Sequence, residues 1–239
     1  MKKQIFLLAI FIIILSPSQN SLFANTLFAN SLANTEFLHK NTIDTIHILP
    51  AIGCIKCSAK SKIIPNDSLN HIFLTRFKKI IQSTTNKYAI TYENNDTTFS
   101  LAATEYLVNV IPKFENISED AFSEIGIGSD LENLLKKQKG RYFGIVFYQG
   151  NSTPNMYPEI VVGAVVGGLA GGLLAGVLFS NLPSGNSTNL ATKMVIIDKQ
   201  TRHFIFYTND ERQRSPIEEK TIFKTFSSIF KDLYSNSKH

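Results

Sequence analysis

The residues best suited to chemistry are Cys54 and Cys57, in the run Cys54-Ile-Lys-Cys57, the only two cysteines in a chain of 239 residues. Two cysteines spaced this way just after an expected strand have the spacing of a thiol-disulfide exchange motif, and Lys56 between them would lower a thiol pKa. In an exported chain they are also the only partners available for a disulfide, and the pair reads more readily as accidental or as a loop staple than as a redox centre. A metal site needs more ligands than two. The five histidines, His39, His47, His71, His203 and His239, stand apart, and no HxH, HxxxH or second cysteine pair joins them. No serine sits on a glycine elbow. Gly126-Ile-Gly128-Ser129 could meet an anion, but it lacks the lysine or third glycine of a nucleotide cradle, and a helix-start loop explains it. Asp120, Glu124 and Asp130 stand near expected helix starts, where the macrodipole favours acids without any catalytic role. No catalytic, cofactor-binding or metal-binding residue is assigned on these patterns, and no cofactor is expected.

The other informative residues are glycines. Ile160 to Phe179 is an unbroken stretch with no charged or strongly polar side chain, and its length of about 20 residues is what a membrane-spanning helix needs. Its glycines fall in two registers four apart, Gly163-Gly167-Gly171 and Gly168-Gly172-Gly176. A helix would present them as a flat groove for a second backbone, so self-association through this face is expected. In water each interior glycine costs a helix about 1 kcal/mol relative to alanine, whereas in a bilayer the backbone has no competing water. A transmembrane glycine-zipper helix over 160–179 is therefore the leading expectation, with the membrane as partner. The competing reading is a core helix or a strand-and-turn excursion within one domain. If the strands on either side share a sheet, the segment must leave and return on one side, and twenty residues cannot cross twice. Glu159 before it and Lys193 after it favour a cytoplasmic carboxy-terminal side.

Export is written at the start. Lys2 and Lys3 precede the apolar run Ile5 to Leu15, too short to cross a hydrocarbon core of about 30 Å at 1.5 Å per residue but matched to a secretory signal. Residues 1–18 read as the signal peptide, with a cut that could fall as late as residue 33. Ser16-Pro17-Ser18 and Ser31-Leu32-Ala33 offer small residues at the required positions, while Leu22-Phe23-Ala24 has a bulky one. A short repeat follows, Ser21-Leu-Phe-Ala-Asn, Thr26-Leu-Phe-Ala-Asn and Ser31-Leu-Ala-Asn34, and residues 19–41 read as a flexible linker. The formal charge of +5 falls to +3 once Lys2 and Lys3 are removed. Basic clusters at Arg76-Phe77-Lys78-Lys79, Lys136-Lys137-Gln138-Lys139 and Arg212-Gln213-Arg214 form no aromatic-interleaved stripe, so no nucleic-acid partner is expected. An apolar fraction of 44% is that of a folded chain.

The elements that must position these residues alternate between strand and helix. Thr42 to Ile52 reads as a buried strand ending at Pro50. Asn66 or Asp67 caps a helix with Leu69, Ile72, Phe73, Phe77, Ile80 and Ile81 on one face, and Lys87 to Tyr92 is a short strand. Thr97 or Thr98 caps a helix through Phe99, Ala103, Leu107 and Val110 that stops near Pro112. Ser118 starts a helical turn, and Ser129-Asp130 opens a helix ending at Gly140. Arg141 to Tyr148 reads as a central strand, and Thr192 to Ile197 with His203 to Tyr207 as a hairpin. Ser215, Pro216 and Glu218 form a capping box for a last amphipathic helix. The fold class is α/β with a mixed sheet and flanking helices, its first part in 42–159 and its completion in 180–239.

This order of elements, with a strand ending in Ile48-Leu49-Pro50, a strand around Ile145-Val146-Phe147, and a hairpin through Met194-Val-Ile-Ile-Asp198, Thr201 and Phe204-Ile-Phe-Tyr207, resembles the TolB amino-terminal and curli-secretion lipoprotein type of bacterial envelope domain. The resemblance spans residues of about 42 to 234. That hairpin usually carries a glycine after its threonine, where Arg202 stands here, and the apolar insert is a second departure. What it implies is an α/β module for envelope assembly and protein contact, and it transfers no catalytic residue. The sequence thus points to an envelope protein in the periplasm or membrane, attached to or inserted in the bilayer, with a structural or interaction role. A secreted thiol oxidoreductase using Cys54 and Cys57, and a soluble ligand-binding module, are the alternatives.

Overall fold

The computed structural model describes residues 31–34, 43–59, 62–93, 99–152 and 188–236. Long runs of branched and aromatic residues make three adjacent strands the spine of one sheet: β6 (Tyr142–Ser152), β7 (Asn189–Asp198) and β8 (His203–Arg212). With β1 (Ser31–Ala33), β2 (Ile46–Ile48), β3 (Ile52–Ala59), β4 (Lys62–Pro65) and β5 (Ile90–Tyr92) they form eight strands in the order β1-β8-β7-β6-β2-β5, with β3 on β6 and β4 on β3. β2 and β3 run parallel to β6, while β7 and β8 are antiparallel neighbours, so the sheet is mixed as the alternation of elements predicts.

Strand periodicity turns alternate residues to opposite faces, and each face is covered by helices. Over one face lie α1 (Asp67–Thr84) and α5 (Glu219–Asn236), whose Phe73, Phe77, Phe226 and Phe230 pack with Val146, Tyr148, Met194 and Ile196. Over the other lie α2 (Leu101–Val110), a 3-10 helix (Ile111–Asn116), α3 (Glu119–Ser123) and α4 (Ser129–Lys136). There Leu107, Phe114, Phe122 and Leu135 pack on Phe143, Ile145, Phe147, Val195 and Phe204. The result is a three-layer α/β/α sandwich with a core on each side of the sheet.

Local chemistry sets several junctions. The Asn66 carboxamide accepts from Leu69 N at 3.0 Å and so caps α1. Next to it, the Ile55 amide donates to Asn70 Oδ1 at 2.5 Å, and the Ile55 carbonyl accepts from Asn66 N at 2.8 Å. The start of α1 thereby closes the stretch of the β3 edge that β4 does not reach. Gly53 lies opposite Tyr148 on β6, and a Cβ there would overlap the Tyr148 carbonyl. Only glycine lets these two backbones approach so closely. The Arg141 guanidinium grips the fully buried Asp198 carboxylate with two bonds, at 3.0 and 2.8 Å, closing the far end of β6 against the hairpin. In that hairpin Arg202 has φ +64, a left-handed conformation that glycine adopts freely and that costs a residue with a Cβ roughly 1–2 kcal/mol.

Several expectations change. The expected strand over 42–52 is two strands, β2 and β3, broken at Leu49-Pro50-Ala51. Ser100, whose hydroxyl accepts from Ala103 N, caps α2 in place of Thr97 or Thr98, which lie outside the described residues. Pro112 does not end the helical path but lies in the 3-10 helix that continues it, where a missing N–H costs little near a helix start. Pro216 does not open the last helix as expected: residues 216 and 217 make a turn, and α5 starts at Glu219 with the Glu218 carbonyl accepting from Ile222 N. Ser31–Ala33, inside the stretch expected as linker, is a strand paired with β8.

The signal over residues 1–18 and the apolar segment 160–179, with Gly163, Gly167, Gly168, Gly171, Gly172 and Gly176, lie outside the described residues. Among the described residues no helix is long and apolar enough to cross a membrane. The strands on either side of the apolar segment do share a sheet, in antiparallel register from Tyr142 opposite Asp198 to Asn151 opposite Asn189. A single crossing would part these strands, so the spanning helix expected over 160–179 conflicts with the register. Lys193 is no topological flank either: it lies within β7, buried in the fold.

Candidate functional site

The three spine strands change character along their length. One end of each strand is apolar, but beyond Tyr148 on β6, before Met194 on β7 and beyond Tyr207 on β8 most residues are polar while staying largely buried. Register turns this into rows across the sheet. On the α2 side, Phe147 stands opposite Lys193 and Lys193 opposite Asn209. The next row is Cys54, Gln149, Ala191 and Glu211, and the one after it Lys56, Asn151 and Asn189. On the α5 side the matching row is Tyr148, Thr192 and Asp210, with Thr208 opposite Met194. The polar end of the sheet is also the end from which residues 153–187 depart and return.

One acid ties the first row to the helical layer. Glu115, on the 3-10 helix, accepts from the Lys193 ammonium at 2.7 Å and from the Tyr207 hydroxyl at 3.4 Å. Lys193 is only 7% exposed, so removing either partner would leave a charge with little water to receive it. Burial, and then the Glu115 charge, push the Tyr207 phenol far above its ordinary value, so it remains a hydrogen-bond donor at any physiological pH. On the opposite face Asp210 accepts from Arg212 at 2.7 Å and from Thr225 of α5 at 3.4 Å, while Arg212 Nε donates to Thr225 at 2.9 Å. Burial raises the Asp210 pKa, with Arg212 opposing. Burial also raises that of Glu211, with the Asn189 amide opposing. These groups fix elements to one another. Four buried atoms at this end, Gln149 Oε1, Ser152 Oγ, Asn189 Nδ2 and Thr208 Oγ1, have no hydrogen bond within 3.5 Å among the described residues, an uncommon condition for buried polar groups.

The two cysteines are not brought together. Both are buried thiols on β3, three residues apart, so strand alternation sends Cys54 into the α2-side core and Cys57 into the α1-side core. Thiol exchange needs two sulfurs that can reach each other, and a sheet backbone separates these. Burial raises both pKa values, with Lys56 opposing at Cys54 only, so the reactive thiolate is disfavoured at neutral pH. Gly126 and Gly128 lie in the loop before α4. Gly126 pairs with His203, Ile127 N donates to the Arg202 carbonyl at 2.8 Å, and Gly128 packs under the Tyr106 ring. That loop is a structural brace. His47 Nδ1 lies 2.6 Å from Glu93 Oε1 between the Phe143 ring and Gly140. The space above that ring is open only because Gly140, at φ +103, has no side chain. Among the described residues no group of three His, Cys, Asp or Glu side chains could hold a metal ion.

Glu115, Gln149 and Thr208 belong to no motif, and in sequence Lys193 reads only as a charge flanking the apolar segment. For the strand residues a signal exists: the polar stretches Gln149-Gly-Asn151 and Thr208-Asn-Asp-Glu211 directly continue plainly apolar strands, which marks continued pairing with a change of environment.

No family model matches this sequence, and no curated protein does. Solved structures similar to it include a PelC dodecamer from Paraburkholderia phytofirmans, with a TM-score of 0.33 and 7% identity over 86% of this chain and 96% of that one. The lipoprotein GNA1162 from Neisseria meningitidis is similar at a TM-score of 0.31 and 8% identity, over 82% of this chain and 100% of that one. The LpoB carboxy-terminal domain from Salmonella enterica has a TM-score of 0.29 and 10% identity, over 76% of this chain and 96% of that one.

Proposed function

We propose that the chain is an exported envelope protein, attached to a membrane through residues 160–179, whose α/β domain lies on one side of the bilayer and works by protein contact. The observation that carries this reading is the pairing of Asn151 with Asn189 at the polar end of the sheet. Paired residues of antiparallel strands are about 5 Å apart, so the segment between them begins and ends at one place. A single crossing would set its ends about 30 Å apart. Used as an outward and a return path, twenty residues give about ten each way, or about 15 Å as helix, which reaches one leaflet. Attachment from one side therefore replaces spanning.

A backbone reversal at that depth needs its polar groups satisfied by protein rather than lipid. Within each arm a glycine pair four residues apart survives the reversal, Gly163 with Gly167 on the outward path and Gly172 with Gly176 on the return, and room there for a second backbone supports self-association. The thiols on opposite faces of the sheet offer no comparable support for redox catalysis.

Carbonate extraction of membranes and protease accessibility of α1 and α5, in intact and opened cells, test this. The protein should stay with the membrane, and the two helices should be equally accessible. A wholly soluble protein would sink the attachment, and helices on opposite sides of the bilayer would sink the one-sided arrangement. Replacing Gly163 and Gly167 with leucine should weaken self-association measured by cross-linking in membranes.

A further inference from the structure

We infer that the signal is removed at or after Ser18 and upstream of Ser31, so that the mature chain keeps the third copy of its leader repeat as an edge strand of the sheet. This rests on the exported reading above. Two cuts carry small residues where a signal peptidase requires them, after Ser18 and after Ala33, and only the fold separates them. Ser31, Leu32 and Ala33 pair with Thr208, Tyr207 and Phe206 of β8, and Asn34 N donates to the Ile205 carbonyl at 3.0 Å. Ala33 is 3% exposed within the α5-side core, and Leu32 packs against the core on the opposite face. Cutting after Ala33 would remove the strand, both core contacts and the cover over part of the β8 edge.

The repeat explains why no other copy can take this place. The first two copies read Ser21-Leu22-Phe23 and Thr26-Leu27-Phe28, whereas the third reads Ser31-Leu32-Ala33. The phenylalanine missing from the third copy would fall where Ala33 is enclosed, and a well-packed core does not accept a whole phenyl ring there. The copies are alike in sequence, but only one fits the seat. Processing itself is a hydrolysis: water adds across one peptide bond, the signal leaves with the new carboxylate, and the mature chain keeps the new α-amino group.

Intact mass and amino-terminal sequencing of the protein recovered from the envelope test this directly. The first residue should lie between Gln19 and Ser31. A chain beginning at Asn34 or later overturns the inference while leaving export intact, and a chain retaining the whole signal overturns both. As a second measurement, Ala33→Phe in the full chain should leave the processed terminus unchanged and lower the Tm by several degrees. An unchanged Tm would show that the third copy has no seat in the fold.

Discussion

From Tyr142 to Tyr148 the strand β6 is apolar at almost every position, while from Gln149 to Ser152 the same strand carries two amides and a hydroxyl. β7 and β8 repeat the contrast, with Met194–Ile197 against Asn189–Lys193 and Phe204–Tyr207 against Thr208–Arg212. Both halves are largely buried, but by different means. The apolar half gains from removing hydrocarbon from water, a term that grows with area and needs little directional precision. The polar half loses by desolvation and recovers through particular bonds, such as Glu115 to Lys193 and Asp210 to Arg212, so it contributes position more than stability. It lies where residues 153–187 leave and rejoin the sheet, and there particular bonds fix where the strand ends stand.

The contrast can be broken first in the apolar half. Phe114 meets Phe122, Phe204 and Tyr207 edge-on at centroid distances of 5.0, 5.1 and 5.4 Å. Phe114→Ala should lower stability by about 3–5 kcal/mol in urea denaturation, and a loss below 1 kcal/mol would mean that the aromatic cluster does not carry this half. Next in size, Glu115→Leu removes the acceptor shared by Lys193 and Tyr207 and should cost about 1–3 kcal/mol. Adding Lys193→Met to it should return most of that loss, and a double variant no more stable than the single would contradict the view that the pair is placed for position.

Thr208→Val probes the opposite sign. The Thr208 hydroxyl is fully buried and unsatisfied among the described residues, and valine keeps its shape, so the variant should gain about 1 kcal/mol. Destabilisation would show that the hydroxyl has a partner in the native protein. The smallest effect is a pH slope. Burial raises the pKa of Asp210, Glu211 and Asp232, so the folded chain takes up protons at a higher pH than the unfolded chain. Their contribution to stability therefore rises as the pH falls from 7 through the raised values, and is complete below the ordinary carboxylate range. Glu211→Gln should have a higher Tm than the parent at pH 7, and the difference should shrink towards pH 4. A constant difference would remove the linkage from Glu211.

The sequence by itself determined the class of fold and nearly all its long elements: the helix capped at Asn66, the central strand from Arg141, the hairpin around Asp198 and the amphipathic last helix. These are legible because hydrophobic period and capping are local properties, written within a few residues of where they act. It also singled out Cys54-Ile-Lys-Cys57 and the glycine registers as the residues to question. Tertiary structure alone decided what such residues can do. Whether Cys54 meets Cys57 depends on their lying in a strand, which sends them to opposite cores. Whether residues 160–179 can span a membrane depends on Asn151 facing Asn189, positions 38 apart in sequence. Lys193 reads as an ordinary flanking charge until the 3-10 helix brings Glu115 to it from 78 positions away. Contacts between distant segments arise from how faces pack, and no local pattern records which distant partner a face will find.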